Sequence, residues 1–385
     1  MSTLLIQFNS DLLTQDEDPT AKKYYDMLYD GRRPGYQRFG PTWEIPQWIA
    51  EMSYVESDAD VYFANHVHDA LRQAEGYTRV AFSALDCNWK LIQRFARSFQ
   101  GLVYVGGYVN PGVCSSLNGN ILWCCSIRDY CEQRELEYKS GVDYRYFAGA
   151  KTIARLTLST GCRHMCKFCI VPRHIRERDW QDIYQQADEI CRLNSPLVYI
   201  NDKTFGQAGN WWRLPCLFKY IVQYAETTFN GFIIQTTASQ FLKLNDDFLL
   251  KSGIRYVELG VESYNDEILS DMRKPANIAS IDVAIEKLRR LRIKLIPNII
   301  VGLPGESYAT YANTIRWCYN NRDVISHINV YNLALYDDAE LSREIEHIDA
   351  DLDENSTGKS YYKDQTVHEW AASAFYSFGM AALRR

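Results

Sequence analysis

From residue 151 onward, hydrophobic positions fall into two alternating rhythms. Short apolar runs of strand length recur at Thr152–Ser159, Leu197–Asn201, Phe232–Thr236, Tyr256–Val261, Leu295–Val301 and His327–Leu333. Between them, apolar residues spaced three and four apart predict helices over Trp180–Leu193, Trp212–Thr227, Asp246–Lys251, Ile278–Leu291 and Tyr308–Asn320. The punctuation agrees: Asn245 can cap one helix start, Gly253 can end that helix, and Pro196 opens a strand. Strands that alternate with helices form a parallel sheet of right-handed βα units. A closed eight-fold barrel needs two more repeats than this pattern supplies. The expectation for residues 150–335 is therefore an α/β fold of the partial (β/α)6, TIM-like barrel kind.

The first 140 residues repeat the alternation on their own. Leu4–Phe8, Asp60–Ala64, Arg79–Ala84, Leu102–Val105 and Ile121–Cys124 read as strands, and Pro46–Tyr54 and Trp89–Phe99 as helices. This predicts a Rossmann-like, doubly wound domain over 1–140, interrupted by a polar insertion at 10–44 and followed by a linker near 139–150. Residues 336–385 predict an acidic connector over Glu344–Asn355 and a final helix opened by the capping box Thr366-Val367-His368-Glu369. Trp370, Ala374, Phe378 and Ala381 would share that helix's buried face. No apolar stretch reaches the length of a membrane span, and the first nine residues read as a strand rather than a signal peptide.

Composition narrows the chemistry. Charged residues make up 23% and the net charge is −6, so no global basic footprint invites nucleic acid. Eleven cysteines without an export signal indicate a reducing compartment, the cytoplasm, where clustered thiols bind metal or do chemistry. Three of them, Cys162, Cys166 and Cys169, stand as C-x3-C-x2-C immediately after the first barrel strand. In parallel α/β folds the functional loops lie at the carboxyl ends of the strands. Three thiolates at such an end can hold three irons of a [4Fe–4S] cluster and leave the fourth iron open. The competing reading is a zinc site completed by His174. Other strand ends carry Asp202, Glu262 and a Gly302–Gly305 turn whose glycines allow close approach to a flat ring. Asp202 could instead cap a loop or pair with Lys203, Glu262 could cap a helix, and the glycine turn could be only a strand exit. Arg173, Arg176 and Arg178 read equally well as a solvated helix start or as an anion contact.

Together these segments resemble the radical S-adenosylmethionine (radical SAM) superfamily, in the branch that carries a cobalamin-binding domain before the barrel. The resemblance covers most of residues 1–335. It implies that Cys162, Cys166 and Cys169 ligate the cluster and that Phe168, just before the last cysteine, packs near the adenine of S-adenosylmethionine. It further assigns Asp202 to the methionine amino group, Gly260, Glu262 and Ser263 to the ribose, and Gly302, Gly305 and Glu306 to the adenine site. The implied activity is reductive cleavage of S-adenosylmethionine to a 5′-deoxyadenosyl radical that abstracts hydrogen from an unidentified substrate. Cobalamin-dependent methyl transfer is one outcome and a cobalamin-free rearrangement or oxidation another. The implied partner is a reductant such as a flavodoxin or ferredoxin. A zinc- or cluster-stabilised binding module without turnover is the alternative of a different class.

The first domain matches the branch unevenly. Ser83-Ala84-Leu85 and Gly106-Gly107 resemble its nucleotide-tail elements, although the glycine pair also reads as a tight strand exit. The Asp-x-His-x-x-Gly loop expected after the first strand is replaced by Asn9-Ser10-Asp11-Leu12-Leu13. Asn65, His66 and His68 follow the second strand instead and read as surface residues. Cobalamin is thus a candidate ligand with no histidine in place to meet the cobalt. Methylthiolation of RNA is disfavoured, since no further cysteine trio precedes the barrel and no basic module follows it.

Overall fold

A computed structural model of the chain describes residues 2–8, 19–28, 45–85, 88–107, 119–148, 153–336, 338–345, 347–349, 360–362 and 366–384. They divide into two compact units. The first contains strands β1 (Leu4–Phe8), β2 (Asp60–Ala64), β3 (Arg79–Ala84), β4 (Leu102–Gly107) and β5 (Ile121–Trp123), all parallel, in the order β2-β1-β3-β4-β5. The order reverses between β1 and β3, which places a topological switch point at their carboxyl ends. Helix Trp89–Ser98 buries Trp89, Leu91, Ile92 and Phe95 against Phe8, Val80, Phe82 and Val103 of the sheet. Gly107 has φ +118°, and a Cβ there would stand 2.1 Å from the Ala84 carbonyl, so β3 and β4 can leave the sheet together only with glycine at this place.

The second unit contains β6 (Ala154–Leu156), β7 (Leu197–Ile200), β8 (Gly231–Thr236), β9 (Ile254–Glu262), β10 (Lys294–Val301) and β11 (Asn329–Asn332). These six strands are parallel and lie in chain order, the half-barrel that the alternation predicts. Caps fix where the outer helices begin. Asp179 accepts from Gln181, Asn245 from Phe248, Asn277 from Ser280 and Ser307 from Thr310, each satisfying an N–H that a helix start leaves open. Val257, Leu259, Ile299 and Val301 alternate outward and are buried.

Two findings differ from the sequence expectation. The contiguous boundaries 1–140, 150–335 and 336–385 give way to interleaved units, because part of the 10–44 insertion forms helix Pro19–Leu28 in the second unit. Its Tyr24 is fully buried and donates to the Ile328 carbonyl at 2.7 Å while accepting from the Ile328 N–H at 3.0 Å. One phenol thus satisfies both backbone groups beside the edge strand β11. The final helix, Thr366–Leu383, also belongs to this unit. It already includes Thr366, and its buried face is Ala371, Ala372, Phe375, Tyr376, Phe378 and Gly379. Trp370 stays 43% exposed and turns its ring onto Tyr308. Small residues face inward because Tyr24 passes so close that a Cβ on Gly379 would meet its ring at 2.4 Å. Among the described residues, no helix is long and apolar enough to cross a membrane.

Candidate active site

The cysteine run leaves β6 as a loop tied at its base. Ser159 and Thr160 pair antiparallel with Glu177 and Arg176, and the Cys162 N–H donates to the Pro172 carbonyl at 2.9 Å. Gly161 makes this closure feasible: its φ is +88°, and a Cβ would stand 2.0 Å from the His174 carbonyl oxygen. The Cys169 N–H donates to the Cys166 carbonyl at 3.2 Å, folding the loop into a turn. Arg173 crosses the turn, its guanidinium donating to the carbonyls of His164 and Cys169. That residue braces the loop from within.

Cys162 and Cys166 are each 8% exposed, Cys169 is half-buried, and all three are free thiols. The N–H groups of His164 and Val171 point at the sulfurs of Cys162 and Cys169 at 3.5 Å, and the Thr204 hydroxyl lies 3.2 Å from the Cys162 sulfur. The thiolate is the form in which cysteine binds iron. Burial pushes the Cys166 thiol up, and the Lys274 ammonium offsets part of that shift. Among the described residues, no three His, Cys, Asp or Glu side chains approach closely enough to share one metal ion, and His174 is exposed. A cubane spreads its ligands more widely than a single ion does. Three thiols on one braced loop, with N–H groups directed at sulfur, therefore fit a [4Fe–4S] cluster better than zinc.

The other strand ends contribute in different ways. Asp202 follows β7 and is 2% exposed. Its Oδ1 accepts from the Leu158 and Ser159 N–H groups at 2.9 Å, and its Oδ2 from the Ser159 hydroxyl at 2.6 Å. Burial pushes this carboxyl up to about 6 despite those bonds. All of these bonds go to the head of the cysteine loop.

Glu262 ends β9 at a register shift against β10, with φ +59°. The twist turns its carboxylate onto the Lys274 ammonium at 2.8 Å, a pair whose side chains are 10% and 6% exposed. Gly260 makes room for it, since a Cβ there would meet Glu262 Oε1 at 2.7 Å and Lys274 Nζ at 2.9 Å. Desolvation pulls the Lys274 ammonium down, but Glu262 and the Cys166 and Cys169 thiols outweigh it and leave the group raised. Lys274 also stands 5.8 Å from the Phe168 ring centroid. Ser263 is fully buried beside this pair.

At the end of β10, Gly302 and Gly305 have φ +100° and +84°, the left-handed region that a turn of this shape demands. The Gly302 N–H donates to the Tyr311 hydroxyl at 2.8 Å, and that oxygen lies 2.8 Å from His368 Nδ1 of the final helix. Burial pushes the Glu306 carboxyl up, while the Thr310 and Ser263 hydroxyls pull it back. Phe168 packs into the apolar cluster of Ile268, Met272, Ile300, Leu303 and Leu333 that flanks this turn.

The fold thus brings Cys162, Cys166, Cys169 and Phe168 together with Gly260, Glu262, Ser263 and the Gly302–Glu306 turn. Asp202 is joined to them through the loop backbone. Sequence reading missed Lys274, Thr204 and the brace made by Arg173. The signal for Lys274 was one of two adjacent cations, Arg273 and Lys274, just after the helix Asp266–Asp271 that follows Glu262, a place indistinguishable from a solvated helix end. In the first unit, Leu85 at the β3 end is 42% exposed, and the Asn88 side chain ties Leu85 N–H to the Ser83 carbonyl. His66 and His68 are exposed. The Asn9–Leu13 segment lies outside the described residues.

Residues 156–318 match the model of the Radical SAM superfamily. The chain is 27% identical over 176 residues to the tRNA-2-methylthio-N(6)-dimethylallyladenosine synthase of Photobacterium profundum, covering 42% of this chain and 37% of that protein. It is 24% identical over 220 residues to the ribosomal protein uS12 methylthiotransferase RimO of Endomicrobium trichonymphae, covering 54% and 48%. The chain thus spans less than half the length of either relative. Among solved structures, it resembles the radical S-adenosylmethionine methyltransferase TsrM from Kitasatospora setae with cobalamin and [4Fe–4S] cluster bound. There the TM-score is 0.65 at 12% identity, over 98% of this chain and 91% of that one. It also resembles the cobalamin-dependent enzyme OxsB with aqua-cobalamin and S-adenosylmethionine bound, with a TM-score of 0.63 at 12% identity over 97% and 66%. At these identities the likeness is one of fold.

Proposed function

We propose that this chain, whose residues 156–318 match the model of the Radical SAM superfamily, is an enzyme which binds a [4Fe–4S] cluster through Cys162, Cys166 and Cys169. One observation carries the reading: a braced loop of three free thiols stands beside the buried Glu262–Lys274 pair. When bound, the cluster and S-adenosylmethionine supply reductive cleavage to methionine and a hydrogen-abstracting 5′-deoxyadenosyl radical. The protein's part is to bind, orient and exclude water. Phe168 and the Gly302, Gly305 and Glu306 turn would form an apolar slot with open backbone for the adenine. Gly260, Glu262 and Ser263 would meet the ribose, with Lys274 holding the Glu262 carboxylate in place. Asp202 would set the head of the cysteine loop, a part its three bonds support better than direct contact with the methionine amino group. A flavodoxin- or ferredoxin-like reductant in the cytoplasm would complete the system.

Anaerobic reconstitution with iron and sulfide, followed by dithionite and S-adenosylmethionine, tests the proposal. About four irons per chain and formation of 5′-deoxyadenosine are expected. Cys166→Ala should lose both while the far-ultraviolet spectrum stays native. Stoichiometric zinc binding with no cleavage would sink the reading.

A corrinoid in the first unit is favoured by the β2-β1-β3-β4-β5 order, because sheets of this kind bind ligands at the switch point, here between β1 and β3. That would make the reaction a methyl transfer. Retention of hydroxocobalamin absorbance after desalting is the expected result, and its complete loss would leave the cobalamin-free rearrangement or oxidation.

A further inference from the structure

Val301 is the last residue of β10 paired with β11, so Gly302 lies beyond the ladder. Gly302 is buried, and a buried backbone N–H needs an acceptor. Tyr311, on helix Tyr308–Asn320, supplies it: the Gly302 N–H donates to the phenol oxygen at 2.8 Å. The far end of the same turn is held locally. There the Glu306 N–H donates to the Leu303 carbonyl at 3.1 Å, and the Thr310 hydroxyl donates to the Glu306 carboxylate. The near end instead depends on one phenol, and through it on the final helix.

The direction of those bonds is fixed. Tyr311 is 1% exposed, and its oxygen has two partners among the described residues, the Gly302 N–H and His368 Nδ1 at 2.8 Å. Gly302 can only donate, so the phenol's own hydrogen goes to His368 Nδ1, since a buried hydroxyl left without an acceptor is costly. Burial pushes the Tyr311 phenol up, so it keeps that hydrogen. His368 is therefore unprotonated at Nδ1 and carries its hydrogen on Nε2. Ring contacts set the geometry. The imidazole stands at 87° to the Tyr311 ring with 5.9 Å between centroids, and Phe375 of the same helix meets Tyr311 at 6.4 Å.

We infer that His368 is a positioning residue which, acting through Tyr311, holds the Gly302–Glu306 turn in the shape that receives the adenine. This rests on the radical SAM reading above. The acceptor at Nδ1 keeps the phenol hydrogen on the far side of the oxygen and leaves a lone pair facing Gly302. Without that acceptor the hydroxyl hydrogen can swing toward the Gly302 N–H, donor against donor, and the turn loses its anchor. His368 lies outside the stretch 156–318 that matches the family model, so this part of the site comes from the chain's own final helix. That helix thereby belongs to the cofactor site and not to packing alone.

The test compares the full chain with Tyr311→Phe, His368→Leu and His368→Asn. Asparagine sets its Oδ1 near the place of the histidine Nδ1, so it restores the acceptor without the ring. Hydrogen exchange without added S-adenosylmethionine reads the relay directly. The peptide spanning Gly302 should exchange about tenfold or more faster in Tyr311→Phe and His368→Leu, and near the unaltered rate in His368→Asn. After anaerobic reconstitution, equilibrium dialysis with labelled S-adenosylmethionine should show affinity lowered about tenfold in the first two variants and kept in the third, with equal iron content in all. Unchanged exchange, or unchanged affinity, in both Tyr311→Phe and His368→Leu would overturn the inference. So would a His368→Asn protein as impaired as His368→Leu, since that would mark a packing role alone. The expected exchange pattern in a chain that binds no S-adenosylmethionine even when unaltered would count against the cofactor reading and support the relay.

Discussion

Each unit buries a carboxylate against a cation, and the two pairs are built differently. In the first unit, Glu56 accepts from Arg134 at 2.7 Å, from Thr3 at 2.7 Å and from the Tyr130 hydroxyl. Desolvation works against its charge, but these three donors outweigh it and hold the carboxyl below its ordinary value. In the second unit, Glu262 accepts from Lys274 alone among the described residues, next to the Cys166 thiol and at a strained φ. The saturated pair has nothing left to offer a ligand. The other has spare acceptor capacity, a neighbouring glycine that makes room for the pair, and a cation that also senses the cysteine loop. A buried charge with all its partners supplied by the fold stabilises the fold, whereas one left part-supplied marks a place for a ligand.

That contrast can be broken from either side. In the second unit the break is Lys274→Gln, which leaves Glu262 without a cation next to the loop. S-adenosylmethionine affinity of the reconstituted protein should fall about tenfold or more, equivalent to at least ~1.4 kcal/mol, while iron content stays near that of the unaltered chain. Equilibrium dialysis with labelled S-adenosylmethionine measures it, and unchanged affinity would show that the pair is as structural as the other. Arg134→Gln should do the opposite: about 3 kcal/mol lost from unfolding in urea, with no change in iron or in cofactor affinity of the folded fraction.

The pH dependence sharpens the same contrast with smaller effects. Because the Glu56 carboxyl is held below 4.5, its stabilisation is complete above that value and fades as pH falls through the lowered one. Arg134→Gln should flatten that acid limb of a plot of unfolding midpoint against pH. Asp202 has the reverse sign. Its folded value, pushed up to about 6 from 3.8, means the folded state keeps a proton that the unfolded chain releases. Stability therefore declines as pH rises from roughly 4 to 6, and Asp202→Asn should remove that decline. An unaltered slope in the variant would mean that Asp202 titrates like an exposed carboxylate.

Legibility in the sequence followed the range of the interactions involved. Strand Ile254–Glu262 and helix Ile278–Leu291 were readable because their apolar spacing and caps lie within a few residues of each other. Helix Pro19–Leu28 was not, since its lysines and tyrosines read as polar insertion until Tyr24 meets Ile328, 304 residues away. The face of the final helix was misjudged for a related reason. Size suggested Trp370 for the interior, but Gly379 and Ala371 face inward where a neighbouring helix needs small residues.

The sequence by itself determined the two parallel α/β sheets, the place of the cysteine loop at a strand end, and the glycines that its neighbouring turns require. These depend on periodicity, on local backbone conformation and on the chemistry of three closely spaced thiols. Only the tertiary structure decided that Asp202 grips the loop and that Lys274 pairs with Glu262. Those facts depend on register between strands, where a shift of one residue would turn every side chain to the other face.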